Sequence, residues 1–177
     1  MKEEKTARTP GDAPGAPLMG GAWVESPERE FLEPPKEVDA LARQVIDAAV
    51  EVHRHLGPGY AEVVYEKALV IEFGLRGIPF ERQASFHVDY KGQDVGDGRL
   101  DLLVGRMLIV ELKTVERFHD IHIAQALAYL KATGLHLALL VNFNVPVLKR
   151  GVKRVVMNRP RVQQELAPIT ALRTEKP

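Results

Sequence analysis

From about Pro35 to Leu56 the apolar residues Val38, Leu41, Val45, Ala48, Ala49, Val52 and Leu56 recur at helical spacing. That spacing predicts an amphipathic helix. Gly57-Pro58-Gly59 ends it, since proline cannot continue a helix and glycine tolerates the reversal. A second helix is expected from about Tyr60 to Arg76, with Val64, Ala68, Ile71 and Leu75 on one face and Gly77 and Ile78-Pro79 as its stop. Between Gln83 and Lys91 the period falls to two. Ala84, Phe86, Val88 and Tyr90 alternate there with polar residues, as in a half-buried strand. The glycine-bearing stretch Lys91 to Gly98 is expected to turn the chain into Arg99–Val115, RLDLLVGRMLIVELKTV, two short strands joined at Gly105-Arg106. A helix follows from Asp120, the expected N-cap, to Thr133, closed by Gly134. A buried strand over Leu135–Phe143 and a more exposed one over Val152–Met157 complete the order. Strand–helix–strand across Met107 to Phe143 implies a parallel right-handed crossover on a sheet that began antiparallel. The fold class is α/β, a mixed β-sheet with flanking helices.

Residues 1–35 change the picture little. Repeated Pro and Gly with few apolar residues cannot bury enough surface to offset the entropy of ordering, so a disordered leader is expected there. The domain is expected over 36–160, with a flexible tail over 161–177. There are no cysteines, which excludes disulfides, thiolate zinc sites and cysteine nucleophiles. The N-terminus lacks an apolar signal core and no apolar run reaches the ~18 residues of a membrane span, so a cytoplasmic protein is expected. Formal net charge is zero, but it is unevenly distributed. Met1–Ala40 holds nine Asp/Glu against five Lys/Arg, a net of −4. Pro146–Pro177 holds eight Lys/Arg against two Glu, a net of +6, including Lys149, Arg150, Lys153, Arg154, Arg159 and Arg161. A basic segment of that kind contacts phosphates or is simply a solvated strand and tail.

The chemistry lies in Arg99–Val115. Glu111 and Lys113 interrupt its most apolar run, and burying charge there is costly unless it is paired. Two residues apart in a strand, they share a face. Asp101 approaches across the hairpin. Two carboxylates converging from neighbouring strands make a hard, all-oxygen site suited to Mg²⁺ or Mn²⁺. Such an ion polarises a phosphoryl oxygen and supplies a nucleophilic hydroxide, while Lys113 would stabilise the developing charge. Register raises one difficulty. A strict two-residue turn at Gly105-Arg106 would pair Asp101 with Val110 and send Asp101 and Glu111 to opposite faces. A shared site therefore requires a three-residue loop, a bulge, or Asp101 standing where the pairing ends.

The spacing Asp101, nine residues, Glu111, one residue, Lys113 resembles the PD-(D/E)xK nuclease superfamily. Gly59-Tyr60-Ala61-Glu62-Val63-Val64-Tyr65 resembles the G-x-x-E-x-x-Y signature of a bacterial protein family placed in that superfamily. VHRHLGPG (52–59), YKG (90–92), RLDLLV, VELK and QALAYL (125–130) are similar to the same family, so the likeness runs roughly from Leu41 to Val156. The usual proline before the first Asp is replaced by Leu100. The resemblance implies a restriction-endonuclease-like core (α-βββ-α-β), and a nuclease hydrolysing phosphodiester bonds, of DNA rather than RNA. It also implies Asp101 and Glu111 as metal ligands, Lys113 as the catalytic lysine, and Glu62 as a helical glutamate near the metal. Gln125 and Tyr129 match a Q-x-x-x-Y element whose i, i+4 spacing puts both on one helical face towards the nucleic-acid backbone.

Each residue also has a plainer reading. Glu62 suits the dipole of a helix N-terminus, Glu111 and Lys113 could be a structural ion pair, and Gln125 and Tyr129 a polar helix face. Tyr65 could hydrogen-bond Glu62 or pack. His53 and His55 point to different helix faces, leaving His53 as a packed residue or a site contact. His122 shares a face with Gln125 and stands at the edge of the expected site. The alternative function is a non-catalytic nucleic-acid-binding or adaptor domain on the same fold. An exposed apolar edge strand would admit a homodimer.

Overall fold

The computed structural model describes residues 33–157. The expected leader, apart from 33–35, and the expected tail lie outside the described residues.

Helix α1 (Lys36–Leu56) starts directly after Pro35, with Glu37 and Asp39 in the first turn where the helix dipole favours negative charge. Its period-3.6 residues Val38, Val45, Ala48, Ala49 and Val52 are buried as expected. Helix α2 (Glu62–Arg76) starts two residues later than expected and buries a different face. Tyr65, Leu69 and Phe73 point inward, whereas Ile71 and Leu75 are exposed. Two aromatic rings bury more area than the aliphatic stripe one position round, so they set the helix's rotation.

Strands β1 (Phe80–Tyr90), β2 (Gln93–Val104), β3 (Leu108–Lys113), β4 (Leu137–Asn142) and β5 (Val152–Val156), with helix α3 (Asp120–Thr133) between β3 and β4, form the rest. The five strands stand in the order β1-β2-β3-β4-β5. All pairings are antiparallel except β3 with β4, which is parallel, as the strand–helix–strand pattern implies. The mixed α/β class is therefore the one observed. One face of the sheet packs on α1 and α2 through Leu102, Val104, Val110, Leu112, Leu139 and Val141. The other packs on Ala126 and Leu130 of α3 through Phe86, Leu100, Leu103, Ile109 and Leu140. Strands β3 and β4 are covered on both sides, which accounts for their unbroken apolar runs.

The Lys91–Gly98 stretch departs from expectation. The turn is only Lys91-Gly92, both with positive φ (55° and 79°), closed by Tyr90 opposite Gln93 and by Gly92 N–H donating to Asp89 Oδ1 (3.0 Å). This is the two-residue turn that matches strand twist. The remaining residues pair in β2, with an irregularity at Val88/Asp89. Gly98 fits because the Phe86 ring lies over it: a Cβ there would sit 2.1 Å from Phe86 Cζ. Helix α3 differs at its start, where His119 rather than Asp120 is the N-cap.

Candidate active site at a strand fork

The β2–β3 connection resolves the register difficulty. Gly105 and Arg106 both have positive φ (57° and 58°), and Met107 N–H donates to Val104 O (3.1 Å). Yet Val104 stands opposite Leu108, Leu103 opposite Ile109 and Leu102 opposite Val110, so Met107 is an extra residue and the loop holds three. Continued one step, that register sets Asp101 against Glu111. The backbone ladder ends at Leu102/Val110, and side chains take over. Asp101 N–H donates to Glu111 Oε1 (3.2 Å), and Leu112 N–H donates to Asp101 Oδ2 (2.8 Å). Each carboxylate thus accepts a backbone hydrogen bond from the opposite strand, at the point where β2 and β3 part.

Lys113 Nζ lies 3.6 Å from Glu111 Oε2, and both side chains are largely withdrawn from solvent (13% and 3% exposed). Burial pushes the Glu111 carboxyl up and the neighbouring Asp101 charge adds to that. The Lys113 ammonium and the Asp101 N–H pull it down, and the balance lies at about 7. At neutral pH Glu111 is therefore poised between its neutral and ionised forms, and a nearby cation favours the ionised one.

Strand alternation gives Glu111 and Lys113 the face of Ile109, the α3 side, while Val110 and Leu112 face α1 and α2. On α3, Gln125 Nε2 donates to Tyr129 Oη (2.7 Å), and the Tyr129 ring meets Phe86 edge-on at 5.0 Å. The i, i+4 pair is thus one unit on the same side of the sheet as Glu111 and Lys113. Glu62 is the first residue of α2, which packs on the opposite face. Its carboxylate oxygens do not lie within 4.8 Å of those of both Asp101 and Glu111. Among the described residues, the group whose ligand atoms lie within 4.8 Å of one another is His87, Asp94 and Asp97 on the β1–β2 hairpin. Asp97 precedes Asp101 by four residues, about 13 Å along a strand. It is a separate cluster on which Asp94 and Asp97 are exposed.

The remaining candidates have structural partners. Tyr65 Oη donates to Gly57 O (2.7 Å) and accepts from Tyr60 N–H (3.2 Å), so it fastens the α1–α2 loop rather than bonding Glu62. Its ring stacks on Phe143 at 4.3 Å. His53 is buried, with Nε2 2.8 Å from Val145 O. His122 Nδ1 accepts from His119 N–H (3.1 Å) at the start of α3. In the basic stretch, Arg154 is paired with Asp39 of α1 and is not a free phosphate contact. Arg159 and Arg161 lie outside the described residues.

One residue not expected from the sequence stands beside Lys113. Asn142, the last residue of β4, is 2% exposed and is the register partner of Lys113. It carries the signal that marks Glu111, a polar side chain in an apolar buried run, LHLALLVNF.

A profile described as the PD-(D/E)XK nuclease superfamily matches residues 39–155, well over half of the chain. No curated protein and no solved structure matches at a significant level.

Proposed function

We propose, from the premise that this chain belongs to the PD-(D/E)XK nuclease superfamily, that it hydrolyses phosphodiester bonds of DNA with the help of Mg²⁺ or Mn²⁺. The observation that carries this reading is the interlock of Asp101 and Glu111 at the strand fork, with the Lys113 ammonium 3.6 Å from Glu111. The donor set fits a hard divalent cation. Asp101 Oδ2 and Glu111 Oε1 are spent on backbone N–H groups, which fixes both carboxylates and leaves Asp101 Oδ1 and Glu111 Oε2 as oxygen donors. A bound ion would polarise the scissile phosphoryl group and acidify a water. Lys113 supplies a fixed positive charge, stabilising the phosphorane-like oxygens and orienting the attacking water. We assign Glu62, in the N-terminal turn of α2, as a third carboxylate that acts on the ion from a longer range than Asp101 and Glu111. Because one Gln125 Nε2 hydrogen already goes to the Tyr129 hydroxyl, the hydroxyl proton and the second Gln125 N–H are left to donate to the phosphate oxygens of the nucleic-acid backbone.

Within the superfamily, the Gly59–Tyr65 signature and the matches around it support membership of the G-x-x-E-x-x-Y family and a bacterial cytoplasmic protein. No helix among the described residues is long and apolar enough to cross a membrane. We take 36–160 as the nuclease-like domain.

The purified protein is expected to cut a DNA substrate from a panel of single- and double-stranded forms only when Mg²⁺ or Mn²⁺ is present. Lys113→Ala and Asp101→Asn should each lower the rate about 10³-fold. Calorimetry should show Mg²⁺ binding that Asp101→Asn removes. Cleavage that survives both substitutions would overturn the mechanism. DNA binding without cleavage or metal binding would favour the adaptor alternative.

A further inference from the structure

The end of β4 holds the end of β3 by more than the sheet ladder. Lys113 and Asn142 form the last parallel pair, and Phe143 N–H donates to Lys113 O (2.9 Å). Beyond that pair β3 has no further strand to lean on, and the next backbone groups are those of Thr114 and Val115. The Asn142 carboxamide meets them. Val115 N–H donates to Asn142 Oδ1 (3.1 Å), and Asn142 Nδ2 donates to Val115 O (2.7 Å). The same Oδ1 accepts from Asn144 N–H (3.1 Å), tying the clamp to its own turn. A carboxamide presents one acceptor and one donor side, as a peptide group does, so the side chain acts as an added rung after the backbone ladder has run out. Aspartate could not donate to Val115 O, and an aliphatic residue could do neither.

Lys113 is held twice, by its own backbone pairing with β4 and by the Val115 clamp two residues further on. Its ammonium reaches Glu111 from the last residue of a strand, a position that would otherwise fray. From beneath, Phe143 is braced by the stacked ring of Tyr65, so the support of Lys113 extends to α2, the helix that Glu62 opens.

We propose that Asn142 is a positioning residue for Lys113, holding the segment after β3 so that the ammonium stays at the Asp101–Glu111 fork. The inference rests on the nuclease reading for its catalytic consequence, but not for its structural one, and the test separates the two. Asn142→Leu keeps the volume and removes both hydrogen bonds. In metal-free protein, acetylation of Lys113 by an N-hydroxysuccinimide ester, followed by mass spectrometry, should quicken about tenfold relative to the exposed Lys149, because a frayed strand end releases the half-buried amine. On the DNA substrate, kcat should fall about 30-fold with KM within about twofold, as expected for a misplaced catalytic group. Adding Asn142→Leu to Lys113→Ala should change kcat by no more than about twofold, because the residue acts through Lys113. If Asn142→Leu does not fold, Asn142→Asp keeps the acceptor, loses the donor to Val115 O and is read in the same three ways. Unchanged Lys113 reactivity, an effect on KM alone, or multiplicative effects in the double variant would each overturn the proposal. If the wild-type protein cuts no substrate, the nuclease reading falls by itself, and Lys113 reactivity alone decides whether the clamp exists.

Discussion

Replacing Glu111 by Gln removes a charge that burial disfavours while keeping the oxygen that accepts the Asp101 N–H. The Glu111 carboxyl has an ordinary pKa of 4.5 and lies at about 7 in the folded chain. Below pH 4.5 it is protonated whether the chain is folded or not, and it costs nothing. Between pH 4.5 and 7 the unfolded chain gives up its proton while the folded chain retains it, so stability falls as pH rises. Above pH 7 the loss is complete, and the gap between the two pKa values corresponds to about 3 kcal/mol. The Glu111→Gln exchange abolishes this slope. Thermal unfolding in EDTA should therefore show Glu111→Gln gaining on wild type through this window. For a domain of this size the relative gain in Tm between pH 4.5 and pH 8 should be about 10 °C. Carboxylates elsewhere titrate in both proteins and cancel in the difference. Millimolar Mg²⁺ at pH 8 should act in the opposite sense, raising the wild-type Tm and leaving the variant unmoved. A Tm difference that stays constant from pH 4.5 to pH 8 would refute the claim that Glu111 is ionised against its surroundings.

Tyr65→Phe removes a hydroxyl that both donates to Gly57 O and accepts from Tyr60 N–H, and should cost about 1–2 kcal/mol in urea unfolding. Gly98→Ala puts a methyl group where the Phe86 ring lies, so a loss of about 1–3 kcal/mol is expected, with a change in the near-ultraviolet circular dichroism of the Phe86–Tyr129 contact. Glu62→Gln should weaken Mg²⁺ binding in calorimetry about tenfold and leave the metal-free Tm within about 2 °C. Equal affinity in the two proteins would remove Glu62 from the ligand set.

Much of this fold could be read from periodicity, and the departures have local causes. The element order and the parallel β3–β4 pairing follow from where helical spacing gives way to alternation and to unbroken apolar runs. Register does not follow, because Met107 suits either a strand end or a loop, and whether it counts as an extra residue decides which face Asp101 takes. On α2, an aliphatic stripe and an aromatic one lie one position apart, and only packing against Phe143 selects Tyr65. The Lys91–Gly98 stretch looks like a long turn because its glycines do; two residues suffice, and the others serve the twist of the ribbon and the Phe86 ring. Glu111 and Lys113 stood out as charges in an apolar run. Asn142 is equally out of place in its own run but uncharged, and its role shows only once β3 and β4 are aligned.

The hydrogen bonds at the fork have a practical consequence. Where the β2–β3 ladder ends, the reagents of the proposed chemistry are also its cement. Truncating Asp101 to alanine would strip the Leu112 amide of its acceptor inside the sheet, so the strands could separate whether or not a reaction had been lost. Silence from such a variant would not distinguish a missing ligand from a loosened joint. Substitutions that leave an oxygen in place, asparagine for Asp101 and glutamine for Glu111, remove the carboxylate while keeping the joint closed.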